Sequence, residues 1–225
     1  LLGELRQLGF GIADPDLCAL EQKALAYYEA RQMERLDEMK KRAKKSKNDI
    51  DYCLFNPYLY LRTLFPADSF ALASGNARLL DKTLTCVEKH WRNLSLPSRG
   101  FTALSLYRNK RVESARLIIE SLRQFAINDT RRGMFWDNLQ TFGFRWYNRT
   151  ALTALMLEAF HEVDPRQTEL DNIRKWMLLE KQTTDWGSSS MASEATYAIL
   201  STGSQWLHSS ECEYFKHDIT SRQPI

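Results

Sequence analysis

Apolar residues recur every three or four positions along most of this chain, and the places where that rhythm breaks divide it into helices. From Asp16, an N-cap residue type, Leu17, Leu20, Ala24, Tyr27 or Tyr28, Ala30 or Arg31 and Met33 carry the rhythm to about Lys45 with no Gly or Pro between. The pattern predicts one long amphipathic helix. Asn48 to Asn56 reads as a loop, and Pro57 to Phe65 as a short buried helix, with a strand as the second reading. Ala77 to Trp91 resumes the period through Leu80, Leu84, Val87 or Glu88 and Trp91, with Pro97 beyond it as a stop.

A repeat follows. Thr102-Ala103-Leu104-Ser105-Leu106 returns 51 residues later as Thr153-Ala154-Leu155-Met156-Leu157, each time opening an apolar helix. Each is followed by an amphipathic one. The first pair turns at Asn109-Lys110 and comes back through Ala115, Ile118, Ile119, Leu122 and Phe125. The second turns at Asp164-Pro165 and comes back through Leu170, Ile173, Trp176, Met177 and Leu179. Ala195 to Leu200 begins another apolar helix about one repeat on, and Tyr58 to Phe65 fits one repeat earlier. Helical hairpins at such a period form either an open array or a closed ring. Two aromatic loops separate them: Gly133-Met134-Phe135-Trp136-Asp137 with Phe142 to Tyr147, and Lys181 to Ser189, whose small polar residues suit the cap of the next helix.

Composition agrees with an all-α class. Nine Gly and six Pro in 225 residues are few for a chain of many tight turns, and 44% hydrophobic content suits one sizeable core. Charge is close to balanced, 31 Lys and Arg against 28 Asp and Glu, and points to no nucleic-acid or membrane partner. The basic run Lys40 to Lys47 reads as a solvated helix end, favoured by the helix dipole and lacking interleaved aromatics. No stretch has the apolar length of a membrane span, and the opening residues lack a signal-peptide pattern. Leu1 to Gly9 reads as the tail of a helix cut in half, so the missing signal says nothing about where the parent protein resides.

The chemistry search yields no catalytic, cofactor or metal set. Cys18, Cys53, Cys86 and Cys212 form no Cys-x-x-Cys pair and read as buried free thiols, one disulfide being the open alternative. His90, His161, His208 and His217 read as ordinary surface or boundary residues. Asp137, Glu158, Asp185 and Glu194 are the candidate acids. Glu158 and Glu194 sit on apolar helices, so each is either an acid in a cavity or a side chain bonded to loop backbone, the structural role being favoured. The sequons at Asn93, Asn128 and Asn148 decide nothing.

Taken in order, Leu2 to Gly9, Gly133 to Trp136, Tyr147 to Phe160 and Trp176 through Trp186 to Ala198 resemble the bacterial alpha-2-macroglobulin family. The resemblance is to the later part of its thioester-type domain, an α/α toroid of terpenoid cyclase-like fold. The resemblance implies a protease-trapping protein of the periplasm or cell envelope. It assigns residues 1–205 to an incomplete toroid domain and 206–225 to a tail or linker toward a following domain. Partners would be other domains of the parent chain and, through the full-length protein, a target proteinase. The family's reactive Cys-x-Glu-Gln would lie upstream, and Cys18-Ala19-Leu20-Glu21-Gln22 has the wrong spacing for it. The implied role is scaffold and docking surface, not catalysis. The competing readings are an α/α-toroid enzyme acting on glycans or isoprenoids and a helical-repeat peptide-binding adaptor. Truncating a ring would leave apolar inner-helix surface uncovered and promote association.

Overall fold

The computed structural model describes residues 2–9, 15–46, 49–65, 70–137, 148–183 and 186–203. They are predominantly helical. The helices are α1 (Leu2–Gln7), α2 (Pro15–Ser46), α3 (Asn56–Thr63), α4 (Ser74–His90), α5 (Leu96–Arg108), α6 (Val112–Gln124), α7 (Arg149–Val163), α8 (Gln167–Thr183) and α9 (Ser189–Thr202). The predicted tail 206–225, with His208, Cys212 and His217, lies outside the described residues, as do Asp185 and the Phe142 to Tyr147 loop.

Helices α3, α5, α7 and α9 pack in succession, each on the next, and α4, α6 and α8 each lie against the helix that precedes them in the chain. The burial explains the division. Every residue of α7 from Thr150 to Phe160 is buried, so it is surrounded by other helices. In α6 only Ala115, Ile118, Ile119 and Leu122 are buried, one stripe of an amphipathic helix. Helix α1 contacts α9, and at Gly3 it presses on Leu64 and Phe65 just past α3; a Cβ there would lie 2.8 Å from that of Leu64. Among the described residues, large exposed apolar side chains sit on α2, α6 and α8, at Phe125 and Ile127 just after α6, and at Leu54 in the turn before α3, with none on α5, α7 or α9.

Local rules set the boundaries. Ser95, Asn148 and Ser188 cap α5, α7 and α9 by accepting from the backbone N–H of Ser98, Ala151 and Met191, respectively. Pro97 sits in the first turn of α5. It therefore opens a helix, where its missing N–H is harmless, and is not the stop that the pattern predicts. The expected loop before α3 contains a 3-10 turn, Tyr52–Phe55, and α3 itself occupies most of the predicted short helix.

Three further expectations are corrected. On α2 Leu17 and Leu20, expected inward, are exposed at 39% and 53%; of the alternatives Tyr27 and Tyr28, Tyr27 is exposed and Tyr28 is half-buried against Tyr58, while Glu21, Leu25, Glu29, Gln32 and Leu36 are buried. Polar partners draw that face inward: Arg6 pairs with Glu21, and Tyr58 and Asn76 donate to the Glu29 carboxylate at 3.1 and 2.8 Å. The aromatic loop is part strand, because β1 (Ile127–Asp129) and β2 (Gly133–Phe135) form an antiparallel hairpin. Cys53 and Cys86 are joined in a disulfide with Cα atoms 5.6 Å apart, fastening the 3-10 turn to α4, whereas Cys18 is a half-buried thiol outside any disulfide.

The hairpin delivers Met134, Phe135 and Trp136 to the core at 3%, 6% and 0% exposure. Trp136 donates from Nε1 to the Leu122 carbonyl at 2.8 Å and meets the Phe160 ring, while Phe135 stacks on Trp176 with centroids 5.0 Å apart. Gly133 has φ +99°, and a Cβ built on it would stand 2.3 Å from the Asn172 carbonyl oxygen, so only glycine fits.

Candidate functional site

Glu158 lies in the middle of α7, where apolar neighbours leave it almost no water. Its carboxylate gathers groups from the three other central helices. Tyr60 of α3 donates to it at 2.9 Å, Arg108 at the end of α5 at 2.7 Å and Tyr197 of α9 at 3.3 Å. Arg108 also donates from Nε to Glu162 at 3.0 Å and from Nη1 to Thr63 Oγ1 at 2.8 Å, and its guanidinium stands 5.4 Å from the Tyr60 ring centre. One cation thus faces two carboxylates, of which Glu158 is the more deeply buried. Burial pushes the Glu158 carboxyl above the ordinary carboxylate range, with Arg108 opposing and Glu162 reinforcing the shift. Burial and the Glu158 charge raise the Tyr60 and Tyr197 phenols well above their usual range, so both remain neutral donors.

This replaces the expected contact of Glu158 with loop backbone by a junction of side chains. The geometry joins the four central helices through one polar point, and both Glu158 oxygens accept hydrogen bonds.

A recess of about 250 Å³ adjoins the junction. Glu158 and Glu194, singled out separately in the sequence, line it together, along with Glu4 of α1 and the rings of Tyr28, Tyr60 and Tyr197. Glu194 is half-buried on α9. Among the described lining residues there is no basic side chain. A larger recess of about 490 Å³ lies among α3, α4 and α5, with Arg62 and Arg108 in its wall; Arg62 is already held by the Phe70 carbonyl at 2.8 Å and by Glu29.

The other candidates do not converge on a site. Asp137 is half-buried and paired with Arg149. His90 is exposed, and His161 is half-buried with its pKa lowered by burial and by the positive charge of Arg174. Cys18 faces Arg6, while Gln22 is exposed on the same helix, where the two stand four residues apart. Asp51, Cys53 and Cys86 bring ligand-type atoms within 4.8 Å of one another, with the two sulfurs bonded to each other. The basic end of α2 is exposed from Lys40 to Arg42 and at Lys44 and Lys45. Asn148, one of the sequon residues, serves as the cap of α7.

Arg108, Tyr60 and Tyr197 escaped the sequence reading. Their one signal is position: each brings a polar group to a helix with buried apolar neighbours, Leu59 beside Tyr60, Leu104 and Leu106 near Arg108, and Ala195, Ala198 and Ile199 around Tyr197. No helix among the described residues is long and apolar enough to cross a membrane. Comparison with protein families, with characterised proteins and with solved structures finds no match to this chain.

Proposed function

We propose that this chain is scaffold from a proteinase-trapping protein of the alpha-2-macroglobulin family, part of an α/α toroid whose surface docks other domains of its own parent chain. The observation that carries the reading is the succession of central helices α3, α5, α7 and α9, with α4, α6 and α8 laid against them in alternation. An α/α toroid is built by that alternation. The ordered resemblance along the sequence supplies the family, and with it a bacterial periplasmic or envelope location and a target proteinase as partner. In this reading Glu158 is structural and the domain carries no catalytic residue or cofactor.

The test uses the full-length parent protein and a broad-specificity proteinase. A trap leaves the proteinase active on a small chromogenic peptide while shielding it from a large protein substrate. Loss of both activities, or retention of both, counts against trapping. Intact mass with and without methylamine then separates a covalent trap, which gains one adduct and a titratable thiol, from a non-covalent one.

A second reading, an enzyme on the same architecture, is favoured by the shared recess of Glu158 and Glu194. Against it stands the engagement of Glu158 by Arg108 and two tyrosines. If Glu194→Gln abolishes turnover of a glycan by the parent protein, the enzyme reading stands and the scaffold reading falls.

A further inference from the structure

We propose that Asp51, Cys53 and Cys86 form a redox-gated zinc site, closed while the two sulfurs are bonded to each other and open to Zn²⁺ once that bond is reduced. The inference goes beyond the scaffold role and does not depend on the family.

Two elements bring the ligands together. Asp51 caps the 3-10 turn, its carboxylate accepting from the Cys53 N–H at 3.0 Å, and Cys53 stands two residues on, inside that turn. Cys86 arrives from α4, with its Cα 5.6 Å from that of Cys53 and its sulfur 3.9 Å from Asp51 Oδ1. The three ligand-type atoms lie within 4.8 Å of one another. Tetrahedral zinc, with Zn–S near 2.3 Å and Zn–O near 2.1 Å, sets such atoms roughly 3.5–3.8 Å apart. The carboxylate is therefore close to its place, and the sulfurs have only to part by about 1.7 Å from an ordinary bonded separation of about 2.05 Å. The Cys53 N–H orients the carboxylate as outer partners orient metal ligands. Asp51 is exposed and both cysteines are half-buried, so the metal has a path from solvent and a water completes its four ligands.

The ligand set selects the metal. Two thiolates with one carboxylate suit a borderline-soft cation, whereas calcium and magnesium take oxygen ligands. Zinc has no redox chemistry of its own and holds thiolates without oxidising them. A dithiol reductant gives two electrons and two protons to the bridge, closing its own disulfide and leaving Cys53 and Cys86 as thiols. Zn²⁺ then forms two Zn–S bonds and one Zn–O bond, and both thiol protons leave to solvent. A small disulfide reverses the step: it accepts the two electrons and becomes two thiolates, Cys53–Cys86 reforms, and Zn²⁺ is released.

The test uses the chain with Cys18→Ser and Cys212→Ser, so that this pair alone supplies thiolates, reduced with a phosphine and titrated with Co²⁺ as a coloured stand-in for Zn²⁺. The expected result is a saturable thiolate-to-cobalt charge-transfer band with one cobalt per chain, bleached by Zn²⁺, absent from the oxidised chain and lost on adding oxidised glutathione. Asp51→Asn keeps an oxygen to cap the turn but removes the charge, and should weaken Zn²⁺ binding at least about tenfold. Far-ultraviolet circular dichroism follows the fold of each chain. If Asp51→Asn fails to fold, Cys86→Ser takes its place and should abolish the two-thiolate band. A reduced chain that lacks the band or stays unfolded with Zn²⁺, an oxidised chain that binds Zn²⁺ equally well, or affinity unchanged by the variant overturns the proposal.

Discussion

Replacing Arg108 with leucine tests the four-helix junction most directly. The change removes the cation from between Glu158 and Glu162, whose side chains are 6% and 29% exposed, and leaves two carboxylates together without it. Breaking a buried ion pair in this way costs about 3–5 kcal/mol when the stranded charge stays ionised. Glu158 has an escape, because burial already raises its pKa and loss of Arg108 raises it further. Protonation then relieves the strain, and the relief grows by about 1.4 kcal/mol for each pH unit below the raised pKa, until the ordinary value near 4.3 is reached. The sign follows from the proton count. The folded variant binds a proton that its unfolded chain releases at neutral pH, so this stabilising contribution is present at low pH and lost as pH rises. Urea unfolding followed by circular dichroism at about pH 8 and about pH 5.5 should therefore show the variant close to 3–5 kcal/mol less stable at the higher pH and recovering part of that at the lower. Glu158→Leu and the double variant complete a cycle, with an expected coupling of about 1.5–3 kcal/mol at the higher pH. A variant within about 0.5 kcal/mol of the parent at pH 8, or one whose deficit grows on acidification, refutes the junction as described.

Other expectations follow from the same structure. Gly133→Ala should cost well over the roughly 1–2 kcal/mol of a left-handed alanine, because its Cβ also strikes the Asn172 carbonyl. Gly9→Ala, at φ +79° with nothing within 4 Å, should cost only the conformational part, and equal losses in the two thermal unfolding curves would contradict the packing at Gly133. Trp136→Ala removes a fully buried ring and its bond to Leu122, for an expected loss of about 3–5 kcal/mol in urea unfolding; a loss under about 1 kcal/mol would place the ring outside the core. Reducing Cys53–Cys86, which closes a span of 33 residues, should lower stability by about 3–4 kcal/mol, read as a shift of the urea midpoint with and without a dithiol. An unmoved midpoint would mean that the bridge adds nothing to the fold.

The legibility of these features in the sequence tracks how far apart the interacting residues are. Helix α7 is mostly apolar along its length, so its central burial is readable from neighbours. Helix α2 misleads because apolar spacing identifies the wrong face: Glu21 and Glu29 turn inward toward Arg6 and Asn76, which are 15 and 47 residues away. Counting apolar residues cannot register a buried carboxylate whose partner belongs to another element. Pro97 shows a smaller ambiguity, since the same residue ends one helix pattern and opens another, and only the capping bond from Ser98 to Ser95 decides between them. At the candidate site, Glu158 stood out as a charge on an apolar helix. Tyr60, Arg108 and Tyr197 did not, being 98, 50 and 39 residues from it. The disulfide is likewise a matter of Cα separation in space, which spacing in the chain does not encode.

The internal repeat and the junction together bear on how the chain assembles in the right order. The openings at Thr102 and Thr153 are nearly interchangeable, so apolar docking alone would let one hairpin occupy the berth of the other. Counting 51 residues on from Arg108 arrives at Ala159, and counting the same interval back from Glu158 arrives at Tyr107. A swapped arrangement would set Ala159 where the guanidinium belongs and strand a carboxylate in a dry interior, while leaving the shared apolar surfaces satisfied. The charge pair thus penalises an exchange that the shared apolar residues alone would not. The apolar sequence is free to repeat because the order of its copies is written elsewhere.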